Sequence, residues 1–530
     1  MSLAGRPVSF GLPRPHAAEL ADAAVHLNEA DEVAVAKTTL VAGSELRTDG
    51  QVIRVRQLVP AGHKVALRRV PLGQPVRRYG QVIGFATRDV EPGEHVHSHN
   101  LAVAEGPLSL DYAFCSDSSP VTSVPEAARR TFLGFRRLDG RVGTRNYVAV
   151  LASVNCSSSA TRRVAEQIRT SGVLARYPNV DGVIALPVKG GCGAHVGSQY
   201  LHVLQRTLTG IADHPNVGGY VVLSLGCEVN EPEAMLEAGG VDPSLLETPI
   251  LQIQSLGGFR ETIRQGVEAV ERLLPIANEA RREPVPASEL MVALQCGGSD
   301  SWSGVTANPA LGLAVDELVR QGGTAVLGET TEVYGGEHLL TRRARSPEVA
   351  EKLLARIRWW EDYTRMFGAS IDNNPSPGNK LGGLTTIYEK SLGAIAKAGS
   401  TPLVDVVGYG ERITAHGLVH MDTPGYDPVS VTGQVAGGCT VVAFTTGRGS
   451  SFGFKPAPSI KIASNSELYA RQEADMDVDA GRALDGASLE EVGREIFERI
   501  LAVASGERTK SEADDIGEEE FNPWILGATL

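Results

Sequence analysis

The chain has 530 residues, with 50 Lys and Arg against 63 Asp and Glu, for a net charge of −13 at pH 7. At 42% hydrophobic residues it can bury several cores across two to four domains, and its acidic balance argues against a nucleic-acid-binding face. No apolar run is long enough to span a membrane and the N-terminus has no secretory apolar core, so a cytoplasmic protein with reduced thiols at its six cysteines is expected.

Residues 1–104 read as a small β-rich domain. DEVAVAKTTL, QVIRVRQ, HKVALRRV and QVIGFATRDV alternate or cluster apolar residues, with turn formers such as PAG and LGQP between them. The module ends in EPGEHVHSHNLAV, where His95, His97 and His99 alternate. Alternate residues share one face of a strand, so His97 and His99 are candidate metal ligands; solvated imidazoles at a strand end are the alternative. Residues 105–131, rich in Ser, Pro and small residues without periodicity, read as a linker.

From 132 onward the pattern changes. YVAVLASVNC, GVIALPV, GYVVLSLGC and LMVALQC are continuous apolar runs of the kind buried on both faces of a parallel sheet. SATRRVAEQIRTSGVLARY and SQYLHVLQRTLTGIADH, lying between them, space apolar residues three and four apart as helices do. The alternation predicts β-α-β units and a large α/β body with parallel strands. It resumes in PALGLAVDELVRQG, GTAVLGET, PLVDVV, GLVHMD and TVVAFTTG. A break at EARREPVPAS divides this body into two lobes, 132–283 and 284–505. The acidic tail, 506–530, is expected to pack loosely, with FNPWIL as an anchor.

Cys156, Cys192, Cys227 and Cys296 each end or follow an apolar run. Open α/β sheets bind ligands at the carboxyl ends of their strands, so the four thiols are expected to converge on one crevice. Soft thiolates select iron, iron–sulfur or zinc; four unconnected buried thiols are the alternative. Gly-rich turns such as KGGCG (189–193) and CGGSD (296–300) offer backbone N–H groups to anions. Neither a dinucleotide nor a P-loop fingerprint is present, so small carboxylates are the expected guests. IDNNPSPGNKLGG (371–383) presents Asn379 and Lys380 among other polar groups to a polyhydroxy substrate, or is a solvated loop. Arg448, flanked by glycines, and the nearby Lys455 and Lys461 suit a carboxylate, while Asp422 and Asp427 are possible ligands or bases.

The stretches GFRRLDGRVGTRNYVAVLASVNC, LGCE, CGGSDSWSGVTANPALG, TTEVYGGEHLLTRRA, NPSPGNKLGGLTTIYEKSLGAIAKAG and MDTPGYDPVSVTGQVAGGCTVVAFTTGRGSSFGFKPAPSIKIASN resemble the altronate dehydratase / galactarate dehydratase family over about 134–480. The β-rich module before them resembles the SAF-type domain of the same enzymes. The resemblance implies a hydro-lyase that dehydrates a sugar acid, sugar diacid or related hydroxy acid to a 2-keto product. It implies dependence on iron(II) or a similar divalent metal, Mn²⁺ or Mg²⁺ being the alternatives; with the cysteine pattern, the expected cofactor is iron, as Fe²⁺ or an iron–sulfur cluster. Sulfite elimination from sulfolactate is the alternative within the family, and a non-catalytic sugar-acid-binding protein the alternative outside it. A homodimer acting on a small hydroxy acid is expected.

One departure from the family pattern stands out. The usual Thr-His-Gly-x-Gly-Cys-Gly turn reads Pro187-Val188-Lys189-Gly190-Gly191-Cys192-Gly193, so Val188 replaces the imidazole. Lys189, His195, His338 and Lys380 are therefore the candidate catalytic groups. Ser299, Asp300, Asn379, Arg448 and Lys455 are the candidates for substrate, and the four cysteines with His97 and His99 for metal.

Overall fold

The computed structural model describes residues 15–48, 50–104, 112–240 and 249–527. The chain divides into two compact units, Met1–Ser109 with Asp372–Leu392, and Leu110–Ile371 with Gly393–Leu530. The segment 372–392 thus clusters with the β-rich module, although sequence continuity assigns it to the lobe 284–505.

The first unit is built from short strands in three small sheets. Val33–Ala36, Gln51–Arg54, Lys64–Ala66 and Gln81–Ala86 fall within the four predicted runs. Tyr79 and Gly80 both take positive φ between the paired strands Pro75–Arg78 and Gln81–Ala86. Such a two-residue turn matches the natural strand twist. The Asp31 carboxylate holds it by accepting from both backbone N–H groups, at 3.0 and 2.7 Å. The core is small, made of Ala34, Leu40, Leu46, Ile53, Val59 and Val65 among others. A buried ion cluster supplements it. Glu389 accepts from Lys64 at 2.8 Å and from Arg78 at 2.6 Å, all three being almost wholly excluded from solvent.

The second unit is the α/β body, whose strands are numbered here from β1. Tyr147–Ala152 (β1), Gly182–Leu186 (β2), Val217–Ser224 (β3) and Ile250–Gln252 (β4) form one sheet in the order β2-β1-β3-β4, every pair parallel. Met291–Cys296 (β5), Thr324–Leu327 (β6), Leu403–Val407 (β7), Gly417–Met421 (β8), Val441–Thr446 (β9), Ser459–Ala463 (β10) and Val478–Asp479 (β11) form a second. Its order is β7-β8-β6-β5-β9-β10-β11, again all parallel. The central strands are buried on both faces, which is why they read as unbroken apolar runs. Helices Ser158–Thr170, Gln199–Ala212 and Ala307–Arg320 form where the 3.6 period predicts them, and Leu489–Ala504 is a further helix of the body. Arg282–Pro286, within the predicted lobe break, pairs antiparallel with Thr131–Arg136.

The tail packs more firmly than its composition predicts. Phe521, Trp524 and Leu526 are buried, and Trp524 stacks on Trp360 with ring centroids 5.3 Å apart. Glu518 and Glu519 pair with Arg169 and Arg162, and Ser511 Oγ donates to the Phe452 carbonyl at 2.8 Å. The acidic residues that suggest a loose tail instead meet arginines on the first helix of the body. Among the described residues, no helix is long and apolar enough to cross a membrane.

Candidate active site

Each sheet of the body has a point where its strand order reverses. From β1 the chain goes to β2 on one side and β3 on the other; from β5 it goes to β6 on one side and later to β9 on the other. The carboxyl ends of strands flanking such a point open a crevice that receives ligands.

At the first crevice, Cys156 follows β1 in the turn Asn155–Ser157, Cys192 follows β2, and Cys227 follows β3; all three are exposed. Their loops are bonded to one another. Asn155 N–H donates to the Gly190 carbonyl at 2.9 Å, and Asn230 N–H to the Gly191 carbonyl at 3.0 Å. Asn230 Nδ2 donates to the Ser153 carbonyl at 2.9 Å, and Ser153 Oγ to Glu228 Oε1 at 2.8 Å. Gly191 has φ +96°, and a Cβ there would stand 2.4 Å from the Ser153 carbonyl oxygen, so only glycine allows this approach. Lys189 and His195 are exposed on the loop that carries Cys192. Lys189 also lines a cavity of about 150 Å³ with Arg162 and Tyr200. Val188 is buried in the core, with its backbone N–H and carbonyl both hydrogen-bonded to Ser158 Oγ.

Cys296 does not join these thiols. It ends β5 in the other sheet and is buried, so it does not share the strand ends that carry the other three. Lys397 Nζ lies 2.9 Å from Cys296 Sγ and 3.0 Å from Glu329 Oε2, with Glu332 Oε2 3.7 Å from the sulfur. Burial opposes the Lys397 charge, but Cys296, then Glu329 and Glu332, outweigh it and raise its pKa. Glu329 is held in the left-handed region at φ 62°, ψ 62°, a strained conformation for a residue with a side chain. Among the described residues, Cys296, Glu329 and Glu332 have the close spacing a single metal ion needs. The Lys397 ammonium already supplies the positive charge there, so the triad as folded does not fit a resident cation. Sequence patterns gave no signal for this grouping, because Cys296, the Glu329–Glu332 pair and Lys397 lie far apart along the chain.

The second crevice lies between the ends of β5 and β9. Arg448 N–H donates to the Gly298 carbonyl at 2.8 Å, and the Arg448 side chain is exposed. Ser299 and Asp300 beside it are buried. Asp300 ties loops together: Oδ1 accepts from Ser303 and from Ser464 Oγ at 2.8 Å, and Oδ2 from Asn465 Nδ2 at 3.1 Å. Burial raises its pKa against those hydrogen bonds. Lys455 is paired with Asp515 at 2.6 Å and so anchors the tail rather than facing the crevice alone. Farther along the same sheet edge, Gly408, Asp422, His202, Arg206 and Arg356 line a cavity of about 470 Å³. A larger cavity of about 700 Å³ sits at the opposite edge, at the amino ends of β5, β6, β8 and β9, away from the strand-end loops.

His338 is buried in the short helix His338–Thr341. In the first unit, His97 Nε2 donates to the Lys380 carbonyl at 2.9 Å, and its Nδ1 meets Ser98 Oγ at 3.0 Å. Both ring nitrogens are thus engaged within the protein, which leaves His97 poorly disposed as a metal ligand; His99 is exposed. Burial and the neighbouring imidazoles lower His95 to about 3, so the cluster is neutral at physiological pH. Asn379 caps its own helical turn, accepting from Ser376 N–H at 3.0 Å.

The fold is that of an α/β protein with Gly-rich strand-end loops at the reversal points of two parallel sheets. The family models described as altronate/galactarate dehydratase SAF domain, D-galactarate dehydratase/altronate hydrolase second domain, and D-galactarate/altronate dehydratase C-terminal match residues 22–104, 134–278 and 287–529. The chain belongs to the altronate/galactarate dehydratase family. It is 37% identical over 496 residues to the altronate dehydratase of Escherichia coli (strain K12), covering 93% of this chain and 97% of that one. It is 40% identical over 476 residues to the galactarate dehydratase (L-threo-forming) of the same organism, covering 88% and 90%. The (2R)-sulfolactate sulfo-lyase subunit beta of Chromohalobacter salexigens is 34% identical over 414 residues, 75% of this chain and 97% of that one.

Proposed function

We propose that this protein is a hydro-lyase that removes water from a sugar acid or sugar diacid to give a 2-keto-3-deoxy acid. The observation that carries the reading is the identity with two sugar-acid dehydratases, which spans the β-rich module and both sheets of the body. In such an elimination a base takes the C2 proton, the C3 hydroxide departs, and positive groups hold the enediolate that forms.

Arg448 is the side chain offered to the substrate carboxylate, exposed at a crevice with its backbone pinned to Gly298. Lys189 and His195, exposed beside Cys192, are the proton carriers; the imidazole of His338 is buried, and Val188 has no proton to give. Lys380, on the first unit, is the remaining candidate, with its carbonyl fixed by His97. A bound iron would supply Lewis acidity toward the departing hydroxyl. The thiols of Cys156, Cys192 and Cys227 are the groups this chain offers to hold it.

The test is a semicarbazide assay for 2-keto acid over a panel containing altronate, galactarate and sulfolactate, run anaerobically with Fe²⁺. Keto-acid formation from a sugar acid is the expected result. Sulfite release from sulfolactate alone would replace the hydro-lyase reading with a sulfo-lyase one, and sugar-acid binding without turnover would leave a binding protein.

A further inference from the structure

We infer that the cavity at the carboxyl ends of β7 and β8 is a second ligand site, separate from the Arg448 crevice, that takes a small polyhydroxy carboxylic acid. The groups that line it set the ligand class, independently of the hydro-lyase reading.

The cavity holds about 470 Å³, within the range of small-molecule pockets. Gly408 directly follows β7 and Asp422 directly follows β8. Helix Gln199–Ala212 adds His202 and Arg206, four positions apart on one face, and helix Pro347–Met366 adds Arg356. Strands β6 and β5 separate this place from the end of β9, after which Arg448 lies.

Three observations carry the inference. Arg206 is half-buried, and its Nε is shut from solvent with no hydrogen-bond partner among the described residues. Burial lowers its pKa, Glu411 opposes that, and Arg356 adds repulsion, so an arriving anion relieves a strained charge. The acids of the cavity are engaged elsewhere. Glu411 Oε2 accepts from the Gly408 N–H at 2.7 Å, and Asp422 Oδ1 from Thr330 Oγ1 at 2.7 Å and Trp360 Nε1 at 2.8 Å. Asp422 Oδ2 stands 3.8 Å from Arg356 Nε, too far for a hydrogen bond. Gly408, finally, keeps the space between them open: a Cβ there would stand 3.1 Å from Glu411 Oε2 and 3.6 Å from Arg206 Nη2.

Guanidiniums alone would suit a phosphate as well as a carboxylate. Here they alternate with two carboxylates, which repel a dianion but accept from hydroxyl groups. One carboxylate for the arginines and several hydroxyls for Asp422 and Glu411 is what a polyhydroxy acid presents.

The test is arginine modification by phenylglyoxal, mapped by mass spectrometry on the full chain in the presence of altronate, inorganic phosphate or the uncharged polyol galactitol. Altronate is expected to protect Arg206 and Arg356, and the other two to leave both open. Tryptophan fluorescence gives the affinity, because Trp524 lines the cavity and Trp360 bonds to Asp422. R206M is expected to weaken altronate binding about tenfold, as loss of a charged hydrogen bond does. G408A is expected to weaken it too, although it removes no charge, and R448A to leave the titration unaltered. Modification of Arg206 at one rate with and without altronate would overturn the inference. Equal protection by phosphate would overturn the ligand class, and a titration lost in R448A would overturn the separateness of the site. Protection without turnover of any sugar acid would sink the hydro-lyase reading alone. Sugar-acid turnover without protection of Arg206 would sink the second site alone.

Discussion

A lysine ammonium 2.9 Å from a thiol and 3.0 Å from a carboxylate, with all three buried, is a costly arrangement that persists only while the charges balance. Replacing Lys397 with methionine leaves Cys296, Glu329 and Glu332 buried together without a counter-charge. We expect K397M to lose about 3–5 kcal/mol of stability in denaturant unfolding, as broken buried pairs do. Arg448 is the opposite case, exposed and free of a structural task beyond its backbone. R448A should retain the parent's unfolding midpoint and lose about 100-fold in kcat/KM, close to 2.7 kcal/mol, because a forked charge on a carboxylate is removed. R448K should recover part of that loss. An R448A enzyme with unaltered kinetics would remove Arg448 from the site.

At the scale of elements, the Glu389 carboxylate is a buried tie between the segment 372–392 and the β-rich module. Glu389 faces two cations, Lys64 and Arg78, which outweigh burial and hold its pKa down to about 2. Lys64 has one anion and a repelling Arg78, so burial wins there and lowers it to about 8. Because the Glu389 value in the fold is below its ordinary 4.5, its stabilisation is complete above pH 4.5 and is lost as pH falls from 4.5 toward 2. E389Q should flatten that acid limb in thermal melts and, at neutral pH, cost about 3–5 kcal/mol by stranding two buried cations. Gly191 is the counterpart in the body. With a Cβ 2.4 Å from the Ser153 carbonyl, G191A must part the loops after β1 and β2, and we expect it to lose retained iron and activity together, measured by metal analysis after desalting. Most of these elements were legible beforehand, because an apolar run or a 3.6 period is a local property. The short edge strands Ile250–Gln252 and Val478–Asp479 were not, since two or three residues carry no period.

Over the whole molecule, the C-terminal tail shows how far composition can mislead. Its acidic residues pair with Arg162 and Arg169, and Trp524 fills a site against Trp360 and Tyr409. W524A is expected to cost about 3–5 kcal/mol, visible as a lower melting temperature, because a buried ring is replaced by a cavity. A melting temperature unchanged in W524A would mean that the tail does not contribute to the core. The net charge of −13 offers no guide to the substrate, since the cations proposed for the site, Arg448 and Lys189, are exposed on individual loops.

Residue order alone was enough to reveal the α/β alternation, the β-rich module and the strand-end position of four cysteines, because each follows from neighbours along the chain. It could not say which strands share a sheet. Continuous apolar runs are nearly interchangeable as parallel partners, and their pairing is set by helix crossovers and burial over distances of up to hundreds of residues. That pairing put Cys156, Cys192 and Cys227 on one edge and gave Cys296 to Lys397, brought from 101 positions away. It also gave Lys455 to Asp515 and Asp300 to Ser464, turning two presumed substrate ligands into ties between loops. Side chains with the same chemistry become ligand or staple according to what the fold sets against them, and that is decided only when distant segments meet.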